Sequence, residues 1–80
     1  MDADVLEHRL ALVERQIADA EGHVTLRGDI VARLEADGLG ASETADITRD
    51  RLRQIEERLR AHTAERKWLQ AQLRRQLRAR

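Results

Sequence analysis

The chain has 80 residues, of which 38% are charged and 1% aromatic, and its formal net charge is zero. It contains no Pro and no Cys, which favours helix over sheet and excludes a disulfide framework. The charged start MDADVLEHRLALVER is not a signal peptide, and no apolar run reaches the ~20 residues that span a bilayer. We therefore expect one all-α domain over residues 1–80, in the cytoplasm and without a membrane span.

Residues 3 to about 37 are predicted to form one long amphipathic helix. Apolar side chains recur there at alternating spacings of three and four, which is the heptad pattern of a coiled-coil seam. Gly22 and Gly28 each disfavour helix by about 1 kcal/mol relative to Ala, so a break near them, giving three helices, is the alternative. The seam positions are Ala3, Leu6, Leu10, Val13, Ile17, Ala20, Val24, Arg27, Val31 and Leu34.

The stretch LEADGLGASET predicts a turn over residues 38–42. A Gly after the last seam residue takes the left-handed position that ends a helix, and the next residue, Leu39, is expected to fold back on Leu34. Ser42 is a good N-cap for a second helix. The glycines also resemble a phosphate-binding loop, but no Lys follows them and no strand precedes them. The predicted turn residues are Gly38, Leu39, Gly40 and Ser42.

A second helix is predicted over residues 43–78, with a weaker seam. If Leu34 lies opposite Ala45, the two seams stay in phase until Leu6 lies opposite Leu73. The sequence thus predicts an antiparallel two-helix hairpin with coiled-coil-like packing. The second seam comprises Ala45, Thr48, Leu52, Ile55, Leu59, His62, Arg66, Leu69, Leu73 and Gln76.

A second apolar stripe is predicted on one side of the hairpin. In the heptad abcdefg, with a and d on the seam, it occupies c positions of both helices and one g position. We interpret it as the surface through which two hairpins form a homodimer, a four-helix bundle anchored by Trp68. The alternative is that Trp68 only covers the open end of its own hairpin. The predicted interface residues are Val5, Leu12, Leu26, Ile30, Ile47, Ala61 and Trp68.

The last fifteen residues, RKWLQAQLRRQLRAR, carry six basic groups and no acid. They suggest that this segment binds an anionic partner, either nucleic acid or an anionic membrane surface. The alternative is a solvated helix end, neutralised by the acidic residues that begin the first helix. The candidate anion contacts are Arg66, Lys67, Arg74, Arg75, Arg78 and Arg80.

No pattern predicts catalysis, a metal site or a cofactor. His8, His23 and His62 lack the one-face spacing that helical metal sites need. The tripeptide Arg27-Gly28-Asp29 falls inside a helix, whereas integrin-binding tripeptides are displayed on loops. A two-helix hairpin is expected to offer no cleft. We therefore predict a non-catalytic structural or interaction module that binds itself or an unidentified protein, with a nucleic-acid-associated protein as the alternative.

The segments ALVERQIADAEGHV, IVARLEADG and LRAHTAERKWLQAQL resemble the short helical-hairpin proteins of unknown function that are common in soil alphaproteobacteria. The resemblance covers roughly residues 8–73. The chain departs from those proteins at GLGAS, where they more often have polar residues. The resemblance implies a bacterial cytoplasmic helical hairpin and implies no particular activity.

Overall fold

The computed structural model describes residues 2–79, which form two long antiparallel helices. Helix α1 spans Ala3–Ala36 and helix α2 spans Glu43–Arg78. The fold is therefore the predicted all-α hairpin, with Cα extents of 60 × 14 × 14 Å. Neither Gly22 nor Gly28 interrupts α1, so the three-helix alternative is not what the chain forms. No helix among the described residues is long and apolar enough to cross a membrane.

The seam accounts for the packing of the two helices. All nine buried residues of the described chain are seam positions, and the other eleven seam positions are partly buried. The largest apolar cluster lies in the half away from the turn, because that half has large aliphatic side chains on both helices. Its members are Leu6, Val13, Ile17 and Leu69, with Leu10, Leu59 and Leu73 packed against them.

The turn consists of a helix stop followed directly by a helix start. Gly38 has φ of +78°, in the left-handed region. The Leu39 N–H donates to the Leu34 carbonyl at 2.7 Å and the Gly38 N–H to the Glu35 carbonyl at 3.1 Å, which is the Schellman arrangement. Ser42 Oγ accepts from the Ala45 N–H at 3.2 Å and so caps α2. The side chain of Leu39 nevertheless remains 50% exposed.

Within residues 2–79, two ion pairs join the helices, one on each side of the seam. Arg9 pairs with Glu65 at 3.4 Å, between g positions, and Glu35 pairs with Arg49 at 3.3 Å, between e positions. In an antiparallel coiled coil, g positions of one helix contact g positions of the other, and e positions contact e positions. Both pairs therefore agree with the register in which Leu34 lies opposite Ala45. Each pair is well exposed and worth no more than about 1 kcal/mol.

Candidate interaction surfaces

One side of the hairpin carries a row of exposed large apolar side chains, which we name the apolar flank. It consists of the c-position residues, which point away from the seam, together with Ile30 at a g position. Except for Ala61, which is also exposed, its members keep between 40% and 57% of their surface accessible. Asp19, Arg33, Gln54 and Arg75 interrupt the c positions, and the g positions that lie between the c positions of the two helices are polar except for Ile30. The residues of the flank are Val5, Leu12, Leu26, Ile30, Ile47, Ala61 and Trp68.

The flank contains six of the eight exposed large apolar residues in the described part of the chain. The other two are Leu39, in the turn, and Leu77, at an e position on the opposite side. Exposed apolar residues are normal when scattered singly, whereas large contiguous patches mark interaction surfaces. The distribution therefore distinguishes this side of the hairpin from the rest of its surface.

The basic end of α2 is not neutralised by direct contacts with the start of α1. Within residues 2–79, no ion pair joins the basic residues from Arg66 onward to an acid. Near this end, Arg9 and Glu65 form an ion pair between the two helices. Arg66 is partly buried at its seam position, whereas Lys67, Arg74, Arg75 and Arg78 are exposed. Arg80 lies outside the described residues.

A groove with a volume of about 470 Å³ lies midway along the hairpin, contrary to the expectation that two helices would offer no cleft. We name it the polar groove. It forms because the seam there is small or polar: Ala20 is short, and Arg27 and His62 replace the aliphatic side chains found elsewhere. The groove is lined by Gln16, Asp19, Ala20, His23, Arg27, Ile55, Arg58 and His62.

The basic side chains of the groove have no partners among the described residues. His23, Arg27, Arg58 and His62 make no hydrogen bond or ion pair within residues 2–79. Arg27 Nε is buried without a hydrogen-bond partner. A buried donor left unsatisfied disfavours the fold by about 1–3 kcal/mol.

The sequence shows the polar residues that line this groove, but it does not determine the empty volume between them. His23 and Arg58 occupy g positions, on the same side as the apolar flank, and His62 and Arg27 interrupt the seam nearby. That combination was visible, yet the empty volume depends on how far two helices separate around Ala20. Sequence reasoning therefore found the seam residues without finding the space between them.

The Arg-Gly-Asp tripeptide and the histidines do not form binding sites of the kinds that such residues form elsewhere. Arg27-Gly28-Asp29 is in the interior of α1, not on a loop. Within residues 2–79, no three or more His, Asp or Glu side chains are grouped so that they could hold a metal ion. His23 and His62 line the same groove, but their companions there are arginines and a single carboxylate.

Comparison of the chain with protein-family models, with curated proteins and with solved structures found no match.

Proposed function

We propose that this hairpin is a non-catalytic interaction module that pairs with a second copy of itself through the apolar flank. The observation that carries the proposal is the concentration of exposed large apolar side chains on that one side. The seam already occupies the a and d positions, so these side chains lie outside the buried core that joins α1 to α2. Pairing through them would give an antiparallel four-helix bundle.

Sedimentation equilibrium of a flank variant tests the proposal. Leu26 is 57% exposed on the flank, and Leu77 is 52% exposed on the opposite side. Since both are exposed in the single hairpin, Gln at either position should leave its helicity unchanged. We expect Leu26→Gln to weaken pairing about tenfold, as loss of about 1.4 kcal/mol would, and Leu77→Gln to leave it unchanged. A wild-type protein that stays monomeric at high micromolar concentration would refute the proposal.

A second candidate function is nucleic-acid binding by the basic end of α2. The observation in its favour is that four exposed basic side chains there have no ion-pair partner among residues 2–79: Lys67, Arg74, Arg75 and Arg78. Phosphate contacts would release counterions, so binding should weaken steeply with salt.

The test is binding of a labelled DNA duplex across a salt series. We expect Lys67→Gln with Arg74→Gln to reduce the slope of log affinity against log salt by about 2. Arg33→Gln with Arg51→Gln, toward the turn end of the hairpin, serves as the control, because it also removes two exposed positive charges. Absence of binding at low salt would eliminate this second candidate.

A further inference from the structure

We propose that the polar groove binds a small oxyanion, of which inorganic phosphate is the simplest, and that the bound anion strengthens pairing through the apolar flank. The first half depends only on the residues of the groove. The second half rests on the proposed function, because it requires that two copies meet on that side.

The groove has the donors that an oxyanion needs. Arg27 and Arg58 each present a planar guanidinium, whose fork of N–H donors matches two oxygens of a phosphate or carboxylate. His23 and His62 add ring nitrogens, and Gln16 adds an amide. None of the four basic side chains is engaged by another residue within 2–79, so an anion would not have to displace an existing partner.

The charge and size of the groove also suit a small anion. Asp19 is the single acid in its lining, against two arginines, so the lining is positive even when both histidines are neutral. A volume of about 470 Å³ is many times the roughly 30 Å³ that one water occupies in the liquid. A phosphate could therefore enter together with several of its hydrating waters.

The position of the groove connects the anion to pairing. Asp19 lies seven residues after Leu12 and seven before Leu26, so the groove interrupts the apolar flank on α1. A second copy that covers the flank would also cover the groove. Removing unpaired charges from water disfavours association. An anion between the arginines offsets that term, and by linkage pairing would then tighten anion binding by the same factor.

Phosphate titration followed by amide chemical shifts tests the site itself. We expect shifts centred on the groove in the wild type, and loss of at least tenfold in affinity in Arg58→Gln, since one fork and one charge are removed. Arg51→Gln is the matched control, because Arg51 is the preceding g position of α2, is also exposed and does not line the groove. An absent response, or equal losses in both variants, would overturn the site.

Sedimentation in phosphate and in chloride at equal ionic strength tests the coupling. We expect phosphate to lower the dissociation constant of the pair by about tenfold, within the usual range of coupled binding, and to have no such effect on Arg58→Gln. A pair that forms equally well in both salts refutes the coupling. A protein that binds phosphate in the groove but never pairs refutes the proposed function and leaves the anion site supported.

Discussion

Glycine should have opposite effects on the free energy of unfolding at Gly38 and Gly22, because the backbone conformation differs between the two positions. Gly38 has φ of +78°, and a Cβ there would meet nothing within 4 Å. Any effect of a side chain at this position must come from the backbone and not from a clash. We expect Gly38→Ala to lower the free energy of unfolding by about 1–2 kcal/mol, as the left-handed conformation disfavours residues with a Cβ. Urea unfolding followed by circular dichroism would measure this.

Gly22 should respond to the same substitution with the opposite sign. It lies inside α1, and an added Cβ would again have no atom within 4 Å. We expect Gly22→Ala to raise the free energy of unfolding by about 1 kcal/mol, because Ala loses less backbone entropy in a helix. Equal effects of the two substitutions would show that helix termination at Gly38 is unimportant.

At the scale of the helices, the seam separates residues that stabilise the hairpin from residues that do not. Leu69 is fully buried among Leu6, Val13 and Ile17, whereas Leu77, two turns later on α2, is 52% exposed. We expect Leu69→Ala to lower the free energy of unfolding by about 2–5 kcal/mol through lost burial and the cavity left behind. Thermal unfolding of Leu69→Ala and of Leu77→Ala is the measurement.

The control for this experiment is Leu77→Ala, which should change stability by less than about 0.5 kcal/mol. Loss of helicity in Leu69→Ala at room temperature would agree with the prediction, since the main apolar cluster is small. Similar effects of the two substitutions would contradict the assignment of Leu69 to the core.

The elements differ in how far the sequence determines them. The hairpin was predictable because a seam at spacings of three and four specifies one face of a helix, and a short turn forces the second helix back along the first. The polar groove was not, because it depends on the distance between the helices around Ala20 and on the directions of long side chains such as Arg27. A heptad position tells which side of the helix a residue occupies, but it does not tell how much space separates that side from the neighbouring helix.

At the scale of the whole molecule, the shape explains why so many apolar groups remain exposed. With Cα extents of 60 × 14 × 14 Å, every residue lies near the surface, and each helix has only one neighbour to pack against. A helix with one neighbour buries one stripe, so a second apolar stripe must stay in water until another molecule covers it. The exposure of the apolar flank follows from this geometry, and its role in pairing is our proposal.

Pairing should therefore make the stability of the fold depend on concentration. If two copies bind as folded hairpins, each tenfold rise in concentration above the dissociation constant adds about 1.4 kcal/mol per pair, or about 0.7 kcal/mol per chain. For a chain of this length we expect the melting temperature to rise by about 3–5 °C per tenfold step. The emission of Trp68, the chain's single aromatic residue and 49% exposed on the flank, should shift to shorter wavelength over the same range.

One variant on the apolar flank and one on the opposite side test this prediction. Leu26→Gln should shift the concentration dependence and the Trp68 transition about tenfold upward in concentration, whereas Leu77→Gln should follow the wild type. A melting temperature that rises with concentration equally in all three proteins would mean that the copies meet on another side. A melting temperature independent of concentration, with Trp68 emission constant throughout, would mean that the hairpin is stable alone and that its flank stays exposed to solvent.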